Sequence, residues 1–333
     1  MPTCPSSAPP PRLSVVVPAY RSHATLGAAL AGLAAQSFPS YEVIVVDSSP
    51  AGDEATRSAE LVRRLLPAAT LVRSPQRLLP QAARNAGAGL ARGELLAFTD
   101  PDVYAPPAWL SALVAAHAAS GDVVAGALAC HGRRWLDRGI HLGKFSKWLP
   151  GGPPRCVDVA PTANLLLPRA LFAELGGFRG DMMMGDASFS WELRRRGHRL
   201  RLAPEACVEH HHLHSLRSVL RERAERGALY AALRLAAGEG RGSGPLVRLA
   251  VVPPRLLSNL LHTTRHAWWG GQLGWLALTL PVVAAAHAAA LAGEAIGYTR
   301  ALRAPPAPAG WTRRSTPPPT PVPPVAARAA RSR

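Results

Sequence analysis

"ELLAFTDPDVY", residues 94–104, carries an apolar run straight into two aspartates separated by one proline. Asp and Pro are ordinary punctuation after a strand, so a simple turn accounts for the pair. A divalent-cation site is the sharper reading, and the Asp-x-Asp alone is weak evidence for it. Along an extended backbone, residues i and i+2 project to the same face, so Asp100 and Asp102 can converge on one ion. The choice between turn and site rests on the surrounding sequence.

Upstream, "LSVVVPAY" (13–20) and "YEVIVVD" (41–47) are β-branched runs that read as buried strands, with a shorter strand at "TLVR" (70–73). Helices fit Thr25 to Gln36, the stretch ending near Leu66, and "PQAARNAGAGLA" (80–91). The strand over 94–100 then delivers the two aspartates. This alternation predicts an α/β fold with a mostly parallel sheet covered on both faces. Ligands of such sheets collect outside the carboxyl ends of the strands, and Asp47, Asp100 and Asp102 all fall there.

Downstream, the pattern predicts a helix at 107–119, a strand at 122–128 and a loop at "LPGGPPR" (149–155). "TANLLLPRALFAELGGF" (162–178) gives a strand, a helix after Pro168 and a glycine stop. An amphipathic helix begins at Asp186, and "CVEHHHLHS" (207–215) ends a strand on a histidine cluster before a helix at 215–236.

The net charge of +17 comes almost wholly from arginine, since Lys144 and Lys147 are the only lysines. Such a balance suits nucleic acid, anionic lipid or phosphorylated substrates. No zinc-finger spacing, RNP-like aromatic run or lysine-rich arm is present, so nucleic acid is not expected as a partner. Cys4, Cys130, Cys156 and Cys207 form no CxxC pair and read as reduced cysteines of a cytoplasmic protein. Residues 1–12 lack the apolar segment of a signal peptide and read as a disordered lead-in.

The C-terminal third has a different character. Residues 273–293 contain no formally charged side chain, and at ~1.5 Å per residue a helix there is roughly 30 Å long, about a hydrocarbon core. Trp268, Trp269 and Trp275 lie where a membrane-interface belt would put them, and 245–261 reads as an interfacial segment. A buried alanine-rich helix is the competing reading. The Pro- and Arg-rich tail from Arg303 is read as disordered. The expected organisation is therefore a globular domain over 13–240, a membrane-associated helical region over 245–302 and a tail over 303–333.

Taken in order, these pieces resemble glycosyltransferase family 2, the inverting nucleotide-sugar transferases of GT-A fold. The resemblance covers roughly residues 13–215. It is carried by "SVVVPAY", "EVIVVDSSP", "QAARNAGAGLARGELLAFTDPD", "GGF" (176–178), the acid Asp186 opening a Trp-x-Leu-Arg helix, and a Val-x-His at 208–210. It implies a nucleotide-diphosphate sugar as donor and a divalent cation, Mn or Mg, as cofactor. Pro18, Ala19, Tyr20 and Asp47 would line the donor site, with Asp47 on the base. Arg84 would face the diphosphate, Asp100 the ribose or metal shell, and Asp102 and His210 would hold the metal. Asp186 would be the general base that takes the acceptor hydroxyl's proton.

Each assignment has a plainer alternative: a strand-ending turn for Asp47, a solvated helix arginine for Arg84, an N-cap for Asp186, a histidine-rich loop for His211, His212 and His214. The sequence also departs from the family pattern. Ser48 stands where a second acid is common, and Gly185 stands where a glutamate usually precedes the acid. No Gln-x-x-Arg-Trp follows, which points to one sugar per encounter rather than polymer extrusion. The expected acceptor is a cell-envelope glycan or lipid-linked acceptor held by loops over 130–156, at the cytoplasmic face of the bacterial inner membrane. The rivals are a nucleotidyltransferase, disfavoured by the lack of a glycine- and lysine-rich loop after the first strand, and a degenerate GT-A scaffold protein.

Overall fold

A computed structural model describes residues 9–180, 183–212, 215–236 and 245–303. The expected disorder of the first residues and of the tail, and His214, lie outside the described residues.

The N-terminal half alternates as expected: β1 (Leu13–Ala19), α1 (His23–Ala34), β2 (Tyr41–Asp47), α2 (Asp53–Leu65), β3 (Thr70–Arg73), α3 (Pro80–Leu90) and β4 (Leu95–Thr99). These strands run parallel in the order β3-β2-β1-β4, and every side chain of β1 is buried. A strand covered on both faces needs a continuous apolar run, which the Val-rich sequence supplies. Pro18 sits inside this central strand without harm. Pairing of β1 with β4 stops at Val16, so the proline's missing N–H falls beyond that ladder. Gly87 of α3 lies directly over β1, where an added methyl would come within 2.5 Å of Val16. The glycine sets how closely helix and sheet approach.

The second half is β5 (Val103–Tyr104), α4 (Trp109–Ser120), β6 (Val123–Cys130), α5 (Trp135–Phe145) with a 3-10 turn at Ser146–Trp148, β7 (Arg155–Cys156), β8 (Asn164–Pro168), α6 (Arg169–Glu174), α7 (Gly185–Arg195), β9 (Leu200–His210) and α8 (Leu216–Ala236). Here the sheet is mixed: β8 enters antiparallel between β4 and β6, and β6 runs parallel to β9. Parallel order therefore holds on the nucleotide-binding side predicted from the sequence and gives way beyond β4. The span expected to be an acceptor loop, 130–156, contains α5 instead.

A bulge between Gly126 and Ala127 interrupts the β6–β9 pairing, and Asn164 fills it. Its amide donates to the Ala127 and Ala206 carbonyls at 2.9 and 2.8 Å and accepts from the Trp109 indole at 2.9 Å. A buried amide is tolerated only when satisfied in this way. Its bonds lock the path of β9, which carries His210.

The C-terminal region is three helices, α9 (Pro245–Ala250), α10 (Val252–Trp269) and α11 (Leu273–Arg303). The single apolar run of the sequence is thus the first two-thirds of a longer helix. α11 does not stand away from the body. Gly139 and Gly143 of α5 take it close, since added methyls would meet Val282 at 2.9 Å and Ala286 at 2.8 Å. Further along, Gly227 of α8 and Gly293 of α11 have no room for a side chain against the other helix's backbone.

Candidate active site

Asp100 and Asp102 do not lie on an extended strand as expected. β4 ends at Thr99, and a turn follows in which the Val103 N–H donates to the Asp100 carbonyl at 3.3 Å. The two acids are brought together by the turn and not by strand periodicity. The two-residue strand β5 then pairs antiparallel with the end of β9, with Val103 opposite His210. The His211 N–H donates to the Asp102 carbonyl at 2.8 Å. This register sets His210 beside Asp102, with Nε2 and Oδ2 3.7 Å apart.

Asp100, Asp102 and His210 each offer a ligand atom within 4.8 Å of the others. The His210 ring is oriented for ligation. Its Nδ1 lies 2.8 Å from the His211 carbonyl, an acceptor only, so Nδ1 carries the proton and Nε2 faces the carboxylate. A backbone carbonyl fixing the tautomer of a ligating histidine is a recurrent support for metal sites. Burial pushes the Asp102 carboxyl above its usual range, His210 draws it back, and the neighbouring Asp100 charge pushes it up again. Carboxylates crowded in this way favour a shared cation. The donor set, two carboxylates and one imidazole, fits a divalent ion such as Mn or Mg.

Arg84 is neither solvated nor free. It is 3% exposed and donates to Asp100, while its second terminal nitrogen reaches the Gln81 amide oxygen at 3.3 Å. Its immediate partner is the Asp100 carboxylate.

Asp186 lies in the first turn of α7 and is not its cap. The cap position is Met184, in left-handed backbone, and the Asp186 carboxylate accepts the Ala187 N–H at 2.9 Å. The departure at Gly185 has a local cause. An added methyl at Gly185 would stand 2.7 Å from the Gln81 side chain. Gln81 occupies the space and bonds Arg84, which holds Asp100. A chain of contacts therefore runs from the start of α7 to the Asp100–Asp102 turn. Gln81 was not singled out in the sequence, because only the fold places it against Gly185.

At the other end of the crevice, Ala19 closes β1 beside Asp47, and the Ala19 carbonyl accepts the Ser48 N–H at 3.0 Å. The Asp47 carboxylate is fully enclosed, accepting the Ser49 N–H at 2.8 Å and the Arg73 guanidinium at 2.7 Å. Pro18 lies within β1, and the Tyr20 ring lies under Arg77, 4.6 Å from its centroid, with Arg21 at 5.5 Å. Arg73 and Arg77 were not expected; Arg73 ends β3 directly opposite Asp47 in register, and that pairing was the available signal.

Behind the acids lies a second group, Cys130, His141 and His212, also with ligand atoms within 4.8 Å. The His141 Nε2–H donates to the Leu128 carbonyl at 2.9 Å, so His141 Nδ1 accepts from His212 Nε2 at 3.0 Å. Burial drives the His141 pKa down to about 3 and raises the Cys130 thiol. His141 and His212 are already joined by their own hydrogen bond, and the His212 ring stacks on His210 at 4.9 Å. The group reads as a support that steadies His210.

Residues 14–193 match glycosyl transferase family 2, and the chain belongs to that family. Curated relatives include the pre-mycofactocin glycosyltransferase of Mycobacterium tuberculosis, 31% identical over 166 residues, covering 46% of this chain and 34% of the relative. The validoxylamine A glucosyltransferase of Streptomyces hygroscopicus is 37% identical over 128 residues, covering 37% and 29%. The chain thus spans about a third of the length of these relatives. A solved mannosyltransferase from Pyrobaculum calidifontis, in complex with GDP-Man and Mn2+, shares the fold at TM-score 0.51 and 20% identity, covering 82% of this chain and 86% of that one.

Proposed function

We propose that this protein is a metal-assisted, inverting glycosyltransferase that moves one sugar from a nucleotide-diphosphate donor to a cell-envelope or lipid-linked acceptor. The observation that carries the reading is the convergence of Asp100, Asp102 and His210 at the carboxyl edge of the sheet. A bound divalent cation there would neutralise charge on the departing diphosphate. Asp102 and His210 would hold it, and Arg84 would keep Asp100 oriented toward it. Pro18, Ala19, Tyr20 and Asp47 would form the nucleotide end of the crevice, with the Arg77–Tyr20 stack at its rim. Asp186 would take the acceptor hydroxyl's proton on its carboxylate as that oxygen attacks the anomeric carbon, which inverts the configuration there.

Gly185 is read as compatible with an active enzyme and not as the mark of a degenerate scaffold protein, since even an added methyl there would crowd the Gln81 side chain at 2.7 Å. The cytoplasmic face of a membrane is the proposed location, on the strength of the apolar C-terminal helices.

Calorimetry with UDP, GDP and TDP, and with UDP-glucose and GDP-mannose, tests the site with and without Mn2+. Binding is expected only with the cation and is expected to be lost in Asp102→Ala. Cation-independent binding of equal strength in that variant would refute the site.

A further inference from the structure

Apolar surface in this molecule is distributed very unevenly. Among the described residues, eleven of the fourteen large apolar side chains that are exposed lie in 245–303. Leu246, Leu257, Leu261, Trp268 and Leu278 are 61–67% exposed. On α10, Leu257, Leu261, Thr264 and Trp268 follow the i, i+4, i+7, i+11 spacing of one helix face. On α11, Leu278, Pro281, Ala288, Ala292 and Ile296 form a second exposed stripe. The charges that accompany these stripes are of one sign. Arg265, Arg300 and Arg303 are exposed, whereas the one acid of the region, Glu294, is buried against Arg255.

The opposite face of α11 is committed to the protein. It packs first on α5 through Thr279, Val282 and Ala286, then on α8 through Gly293 and Gly297. Of its most apolar 18-residue window, 44% is buried. α8 carries seven charged side chains in 21 residues, so α11 cannot cross a bilayer in this packing without drawing α8 toward hydrocarbon. Near the turn between α10 and α11, Arg265 and Arg155 lie over the Trp269 ring, at 4.4 and 5.1 Å from its centroid, and Arg138 lies over Trp275 at 5.3 Å. Tryptophan with arginine is the composition of a headgroup layer.

We infer that α9, α10 and α11 do not span the membrane but lie against it as an in-plane surface whose partner is an anionic lipid headgroup layer. The apolar stripes enter the acyl boundary and the arginines meet lipid phosphate. The chain after Arg303 then stays on the same side of the bilayer as the Asp100–Asp102 crevice. This rests on the membrane-associated part of the proposed function and is independent of its transfer chemistry.

The test uses the full chain with vesicles of phosphatidylcholine alone and with phosphatidylglycerol added. Sedimentation with the anionic vesicles, weakened by salt, is expected, with little binding to the neutral ones. Leu257→Asp with Leu261→Asp, both exposed and remote from the crevice, is expected to lower vesicle affinity at least about tenfold, since each removes a buried apolar side chain. Cation-dependent nucleotide binding in the same variant is expected to be unchanged, which reports an intact fold and separates this failure from that of the transferase reading. A C-terminal tag on protein made in cells should be reached by protease from the side that exposes the catalytic domain. A tag on the opposite side would overturn the inference in favour of a span. A soluble dimer that the double variant splits, without vesicle binding, would overturn it in favour of a copy-to-copy contact.

Discussion

Two of the buried arginine–carboxylate pairs among the described residues are built in opposite senses. At the crevice, Arg84 is 3% exposed and its partner Asp100 is 24% exposed. In the helical layer, Glu294 is 7% exposed and its partner Arg255 is 29% exposed. Each pair hides one sign and presents the other. The Asp100 end of the crevice presents an acid, next to Asp102 and His210, where a cation is proposed, while at its other end Asp47 is hidden behind Arg73 in the sense of the helical layer. The helical layer presents an arginine, among exposed arginines only, where lipid phosphate is proposed. The presented partner offsets the desolvation cost of its hidden mate, and it is also the one within reach of a ligand.

The largest expected effect separates the binding half of the crevice from its proton chemistry. Asp186→Asn removes a proton acceptor while keeping size and polarity, and the helix cap at Met184 is untouched. Transfer is expected to slow by roughly 10²–10⁴-fold with donor affinity little changed. Asp102→Asn is expected to damage donor binding and turnover together. Steady-state kinetics with a matched donor and acceptor check both. Near-full activity in Asp186→Asn would place the base elsewhere.

The comparison of pairs makes a sharper claim about stability. Removing the presented partner strands a buried charge; removing the hidden partner leaves a group that can turn to water. Arg255→Met, which strands Glu294, is expected to cost about 3–5 kcal/mol, and Glu294→Met about 1–2 kcal/mol. At the crevice the order is reversed by residue type: Asp100→Leu, which strands Arg84, is expected to cost more than Arg84→Met. Urea unfolding of the four variants reads both orders. Equal costs within either pair would break the comparison.

Much of this was legible in the sequence, and the misses have physical reasons. The Val-rich runs of β1 and β2 mark strands buried on both faces; the carboxyl end of β2 locates Asp47, and that of β4 locates the two acids of the turn. Family resemblance then supplied His210, whose position follows from a register that two residues of β5 decide; no periodicity exists in so short a strand. Arg73 carries no local signal, since it matters through Asp47, and Gln81, three residues before Arg84, gains its further role only from the fold that sets it against Gly185. The C-terminal run was legible as apolar but not as one-sided. Alanine and glycine look alike to a hydropathy reading whether they face lipid or a neighbouring helix, and the close packing against α5 and α8 is a tertiary fact.

The smallest expected effect asks which region loosens first in acid. His287 of α11 is buried, with Nε2 3.0 Å from the Thr263 hydroxyl of α10, which in turn reaches Ser146 at 3.2 Å. Burial, with Arg223 and Lys147 nearby, lowers its pKa from 6.5 to about 4. The native state therefore binds fewer protons than the unfolded chain between those values. Its contribution to stability is present above about pH 6.5 and is lost as pH falls toward 4. The loss is expected to be on the order of 1–2 kcal/mol, and His287→Gln, which keeps a hydrogen-bonding group without a titration, should flatten that part of the pH profile. Amide exchange followed from pH 7 to pH 4.5 should show α10 and α11 opening while β1 and β4 stay protected. Were β1 and β4 to exchange as early as the helices, the two regions would be a single cooperative unit, and the layer could not loosen independently of the crevice.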